Sequence, residues 1–114
     1  MRLTLLAMMS ACPAATIAAP IEIVWSLLTT PAEYETWADA RIEGVVPPGS
    51  AGPGQEVVLR GRAAGRRWTM RITVEEANAA SGIFAFRAEL PLGVRLKERI
   101  SCVAVGGETR VQFG

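Results

Sequence analysis

One carboxylate stands out against the pattern around it. In the run VRLKERISC, Val94, Leu96, Ile100 and Cys102 alternate with Arg95, Lys97, Arg99 and Ser101, so strand parity puts the Glu98 carboxyl on the apolar side. Desolvation there favours the neutral acid. A protonated carboxyl can donate a hydrogen bond to a ligand carbonyl, or act as a general acid or base. Two structural readings stand beside this one: a bulge that turns Glu98 outward, or an ion pair with a neighbouring arginine. Tyr34 is a second candidate hydrogen-bond donor.

Composition narrows the chemistry sharply. The 114 residues include no histidine, which removes the usual near-neutral acid/base, the commonest zinc ligand and every Ser/His or Cys/His nucleophile pair. The two cysteines, Cys12 and Cys102, are far apart and form no CxxC or metal-type cluster. No metal or cofactor is therefore expected, and both thiols read as buried or semi-buried packing residues. A net charge of +1 supplies no long-range field for collecting polyanions, so nucleic acid is not an expected partner.

The elements that must position these residues follow from periodicity. In IEIVWSLLTT, Ile21, Val24, Trp25 and Leu28 have the spacing of one helical face, with Pro20 suited to the first turn. Thr30-Pro31 repeats a cap-plus-proline signal, and a second, shorter helix is expected over residues 32–38, with Tyr34 and Trp37 on one face. From Arg41 onward the period changes to 2, punctuated by GSAGPG, GRAAG, NAASG, PLG and VGG. The clearest strand is residues 67–75, where Trp68, Met70, Ile72 and Val74 point one way and Arg67, Thr69, Arg71, Thr73 and Glu75 the other. The same alternation groups Val57 with Leu59, Phe84 with Phe86, Ala88 and Leu90, and Val111 with Phe113. Six meander strands are expected after one N-terminal strand at residues 14–18, with a polar outer face that carries Arg67, Arg71, Arg87, Arg95, Lys97 and Arg99.

The uncharged stretch between Arg2 and Glu22 is too broken by Pro13, Pro20 and hydroxyl residues for a spanning helix. It reads as an extension over residues 1–13 before the first strand, in a cytoplasmic protein. The alternative is a signal, because Ser10-Ala11-Cys12 resembles a lipoprotein signal with lipidation at Cys12, although Met9 stands where leucine is usual.

The stretch IAAPIEIVWSLLTTPAEYETW resembles the opening of the START-like superfamily, which includes polyketide cyclases and dehydrases, lipid-transfer proteins and the birch-pollen allergen group. The similarity rests on Ala19-Pro20, Glu22, Val24-Trp25, Leu28, Pro31, Tyr34 and Trp37, with a Thr-Arg-Val run at residues 109–111. It implies an α+β helix-grip fold, a curved antiparallel sheet of about seven strands with two short helices after the first strand. It also implies an apolar cavity for a lipid, quinone or polyketide-like ligand, closed by a long C-terminal helix. Residues 14–114 would form this domain, with the closing helix absent. Candidate ligand contacts are Tyr34, Trp37, Trp68, Met70, Phe84, Phe86, Leu96 and Glu98, for several of which core packing is the competing explanation.

Three functions compete at this stage: a carrier or sensor of a hydrophobic small molecule, a cyclase or dehydrase-type enzyme using Glu98, and an interaction module. The last follows from an expectation about the sheet. Trp68, Met70, Ile72, Val74, Phe84, Phe86, Leu96 and Ile100 on one face are more than two short helices can cover, so that face should stay open or pair in a homodimer.

Overall fold

The fold is that of a computed structural model, which describes residues 14–37, 40–63 and 65–114. The expectations for residues 1–13, including the signal and Cys12, lie outside the described residues. Strand β1 (Ala14–Ile17) is followed by helix α1 (Ile21–Thr29), a 3-10 turn (Pro31–Glu33) and the one-turn helix α2 (Tyr34–Trp37). Strands β2 (Ala40–Val46), β3 (Glu56–Ala63), β4 (Arg66–Asn78), β5 (Ile83–Glu89), β6 (Arg95–Val105) and β7 (Glu108–Phe113) complete the chain. All seven strands form one antiparallel sheet in the order β1-β7-β6-β5-β4-β3-β2. The first strand pairs with the last, so the helical connection from β1 to β2 must cross from one edge of the sheet to the other. This is the expected curved sheet with short helices after its first strand.

Packing of α1 follows its apolar stripe. Val24 and Leu28 are buried, Ile21 and Trp25 are half-buried, and the helix lies against β6 and β7. Two local expectations are corrected. Pro20 is the residue before α1 rather than its first, and Thr30 makes no side-chain capping bond. The expected second helix is split, because the Tyr34 N–H bonds to the Pro31 carbonyl three residues back and closes a 3-10 turn before α2 begins. The Tyr34 hydroxyl then donates to the Leu28 carbonyl at 2.6 Å, which ties this turn to the end of α1.

Strand parity holds through β4 as far as Val74. There the register slips against β5, with Val74 opposite Phe86 but Glu76 opposite Ala85, and one extra residue brings Ala77 back to the inner face opposite Phe84. A similar slip between Ile42 and Gly44 interrupts β2. Bulges of this kind bend a strand and increase its twist. Val94, expected on the inner face, instead ends the β5–β6 turn, where its carbonyl accepts from the Leu90 N–H at 2.8 Å, and it is exposed.

The expectation of an open apolar face fails for six of its eight residues. Met70, Ile72, Val74, Phe84, Phe86 and Ile100 are all buried, in one cluster with Val24, Leu28, Tyr34, Val57 and Phe113. These residues form one cluster with Val24 and Leu28 of α1, which itself lies against β6 and β7. Trp68 and Leu96 are the members left half-buried.

Two buried polar residues close the far end of this core. Thr109 Oγ1 donates to the Ala19 carbonyl at 2.8 Å, joining β7 to the start of the helical crossing. Gln55 is 2% exposed, and its Nε2 donates to the carbonyls of Pro47, Gly49 and Ser50 at 2.9, 3.1 and 3.3 Å, which gathers the β2–β3 loop around one amide. Truncation removes the amide that gathers these three carbonyls. Gln55→Ala should lower unfolding free energy by about 1–3 kcal/mol in chemical denaturation, whereas a change at the neighbouring exposed Ser50 should have little effect.

Candidate ligand-binding face

The inner face is built of cross-strand rows. Trp68 faces Gly61; Met70 faces Leu59; Ile72 lies between Val57 and Ala88, with Leu96 beyond; Val74 faces Phe86, with Glu98 beyond. Strand β7 pairs with β6 only from Ile100, opposite Phe113, through Val105. Leu96 and Glu98 therefore occupy the part of β6 that has a strand neighbour on one side alone. That asymmetry explains why both are half-buried while Phe86 and Ala88 beside them are fully buried.

Glu98 faces inward, as its parity predicts. The β5–β6 register runs without interruption from Ile83↔Ser101 to Glu89↔Arg95, so no bulge turns it outward. Lys97 and Arg99 point to the opposite face, and no cation pairs with Glu98 among the described residues. Burial against apolar neighbours pushes its carboxyl above the ordinary Glu range. The result is a half-exposed acid on an otherwise apolar row, able to hold or release a proton at higher pH than a free glutamate.

Trp68 is half-buried on the same face, toward the β3–β4 end of the sheet. Its indole lies over Gly61, where an added Cβ would collide with the ring, its nearest remaining approaches being 2.7 and 2.9 Å. The glycine thus makes the space that the tryptophan occupies. The Trp68 Nε1 is buried with no hydrogen-bond partner among the described residues. Between the Trp68 row and the Glu98 row lie the rows of Met70 and Ile72, about 20 Å along β4 at ~3.3 Å per residue. Leu90 is half-buried beside the same end of the sheet, and neither it nor Gly61 was among the expected site residues. A glycine interrupting an otherwise β-forming run was the available signal for Gly61.

The remaining candidates fall elsewhere. The Tyr34 hydroxyl is buried and committed to the Leu28 carbonyl, so it is an anchor of the helical segment and not a free donor to a ligand; burial raises its pKa. Met70, Phe84 and Phe86 belong to the buried core, with the two phenylalanine rings 5.6 Å apart at 41°. The Trp37 side chain lies outside the described residues. Cys102 is buried under α1, which pushes its thiol up to about 11 and leaves it a packing residue. Among the described residues no group of acids and cysteines could hold a metal ion, and no helix is long and apolar enough to cross a membrane.

A seven-stranded curved sheet with short helices between its first two strands is the helix-grip architecture of START-like proteins. The chain belongs to the polyketide cyclase / dehydrase and lipid transport family, whose model matches residues 12–114. Solved structures share the fold. DynU16, a protein of the dynemicin biosynthetic locus, is 14% identical with a TM-score of 0.68; the match covers 90% of this chain and 35% of that one. Ara h 8.0201 is 12% identical with a TM-score of 0.66, covering 90% and 72%. Protein Ms6760 from Mycobacterium smegmatis is 16% identical with a TM-score of 0.70, covering 90% and 68%. The chain thus spans about a third of the DynU16 chain. Comparison with curated proteins found no match.

The raised Glu98 pKa has a consequence for stability. Because the folded state binds this proton more tightly than the unfolded chain, the term it adds to stability is fully present below the unfolded pKa and is lost as pH rises through the folded one. Glu98→Gln should therefore melt at higher temperature than the parent near pH 7.5, with the difference shrinking toward zero as thermal scans are taken below about pH 4.

Proposed function

We propose that this chain binds a hydrophobic small molecule against the inner surface between Trp68 and Glu98. The observation that carries the reading is Glu98 itself: an unpaired acid, half-exposed on an apolar row, whose neutral form can donate to an acceptor on the ligand. The spacing of the two ends favours an elongated lipid, quinone or polyketide-like molecule, with its apolar body along Leu90 and Leu96 and a carbonyl or ester oxygen near Glu98. The family's lipid-transport members are consistent with such a ligand.

A cyclase or dehydrase-type reaction is the second reading, favoured by the same acid and by the biosynthetic locus of DynU16. Proton transfer at a bound ketone needs a positioned group with a pKa near the working pH, and partial desolvation moves the Glu98 carboxyl in that direction. In that case Glu98→Gln abolishes turnover by orders of magnitude with little change in affinity. In a carrier, the same variant keeps most of its affinity and there is no turnover to lose.

Titration of the delipidated protein with an environment-sensitive fluorophore, and its displacement by long-chain ketones, quinones and esters, tests the binding reading. Saturable, one-to-one binding is expected, and Leu96→Asp should weaken it at least about tenfold, because an ionised side chain then replaces apolar contact. Absence of saturable binding, or an unchanged affinity in Leu96→Asp, would overturn it.

A further inference from the structure

The β5–β6 turn (Pro91–Gly93) carries a leucine that does nothing for the fold. Leu92 is 100% exposed, and its backbone is left-handed, with φ 66° and ψ 25°. A branched side chain disfavours that conformation, which glycine or asparagine adopts readily. Val94, two residues on, is 42% exposed. The tip of the turn is therefore apolar and strained, and the fully exposed Leu92 side chain gains no internal packing to offset either property.

What surrounds this tip is cationic. Extending the β4–β5 register beyond Arg71↔Glu89 brings the turn level with Trp68, at the end of the sheet where the β3–β4 turn also lies. Arg62 and Arg67 face each other there across β3 and β4, with Arg66 beside them and Arg95 and Lys97 leading out of the β5–β6 turn. All five are exposed, and none forms an ion pair among the described residues, whereas Arg60, Arg71 and Arg87 nearby do. Glu89 is the strand acid set opposite one of them, Arg95. The small net charge of the whole chain thus conceals a local excess of positive charge around one exposed apolar tip.

We propose that this end of the sheet docks on an anionic lipid surface, with Leu92 and Val94 entering the interface and Arg66, Arg67, Arg95 and Lys97 facing the headgroups. An apolar tip within a cationic collar matches the two layers of such a surface, tails below and phosphates above. The docked end is also the Trp68 end of the proposed ligand face, so a lipid-soluble ligand would leave the bilayer beside the surface that receives it. That last step rests on the ligand reading; docking does not.

Vesicle co-sedimentation of the full chain, with phosphatidylcholine alone and with phosphatidylcholine containing phosphatidylglycerol, tests docking. Binding is expected to the anionic vesicles at low salt, falling steeply with added NaCl. Leu92→Asn should reduce it about tenfold while preserving or raising thermal stability, since asparagine tolerates the left-handed backbone. Arg66→Glu with Arg67→Glu should reduce it at least as much. Fluorophore affinity in solution should be unchanged in Leu92→Asn, which separates failure of docking from failure of the ligand reading. No binding to anionic vesicles, or equal binding by Leu92→Asn, overturns the proposal. So does a dimer in sedimentation that Leu92→Asn dissociates without altering vesicle binding, because a second copy would then be the occupant of the tip.

Discussion

A single antiparallel sheet with one apolar face has to bring that face against something, and the rest of this structure follows from how it does so. The first and last described strands lie side by side at one edge, β1 paired to β7, so the segment joining β1 to β2 must cross the inner face. The Thr109 hydroxyl donates to the Ala19 carbonyl and fixes the start of the crossing to β7, while the Tyr34 hydroxyl donates to the Leu28 carbonyl and folds the end of the crossing back on α1. Both donors are buried, so losing either would leave a desolvated carbonyl as well as a free segment. Bulges interrupt β2 and β4, where they add bend and twist, and the six central apolar residues of the inner face are buried.

The candidate site is what that closure leaves over. Along β6, Ile100 and Cys102 lie where β7 flanks the strand, and they are core; Leu96 and Glu98 lie where it does not, and they are half-buried. A carboxylate is tolerated on the inner face at this margin because water still reaches it, yet its apolar row raises its pKa. Fully buried it would need a partner, and fully exposed it would be an ordinary surface acid. Gly61 performs the matching task at the other end by leaving room for the Trp68 ring.

Much of this was legible because it depends on short-range alternation. Parity alone placed Trp68, Met70, Ile72 and Val74 on one face and Glu98 among apolar neighbours, and the resemblance of residues 17–37 to START-like openings supplied the topology. The misreadings concern properties that alternation does not encode. Whether Met70 or Leu96 is covered depends on sheet curvature and on which strands flank β6. The Tyr34 hydroxyl was free on paper because its acceptor, a main-chain carbonyl six residues earlier, leaves no mark in a side-chain pattern. Val94 obeyed the parity of β6 but belongs to the turn before it, and the left-handed conformation of Leu92 runs against the preference of its own side chain.

The central claim is that Glu98 is a partly desolvated acid, without an ion-pair partner among the described residues, on the surface that meets the ligand. Carbon-13 NMR titration of its side-chain carboxyl, followed first in the free protein and then with a saturating neutral long-chain ketone, measures this directly. The account predicts a pKa above the ordinary value of about 4.3, rising further when the ligand displaces water from the row. A value at or below the ordinary one, or one that the ligand leaves unmoved, would contradict it.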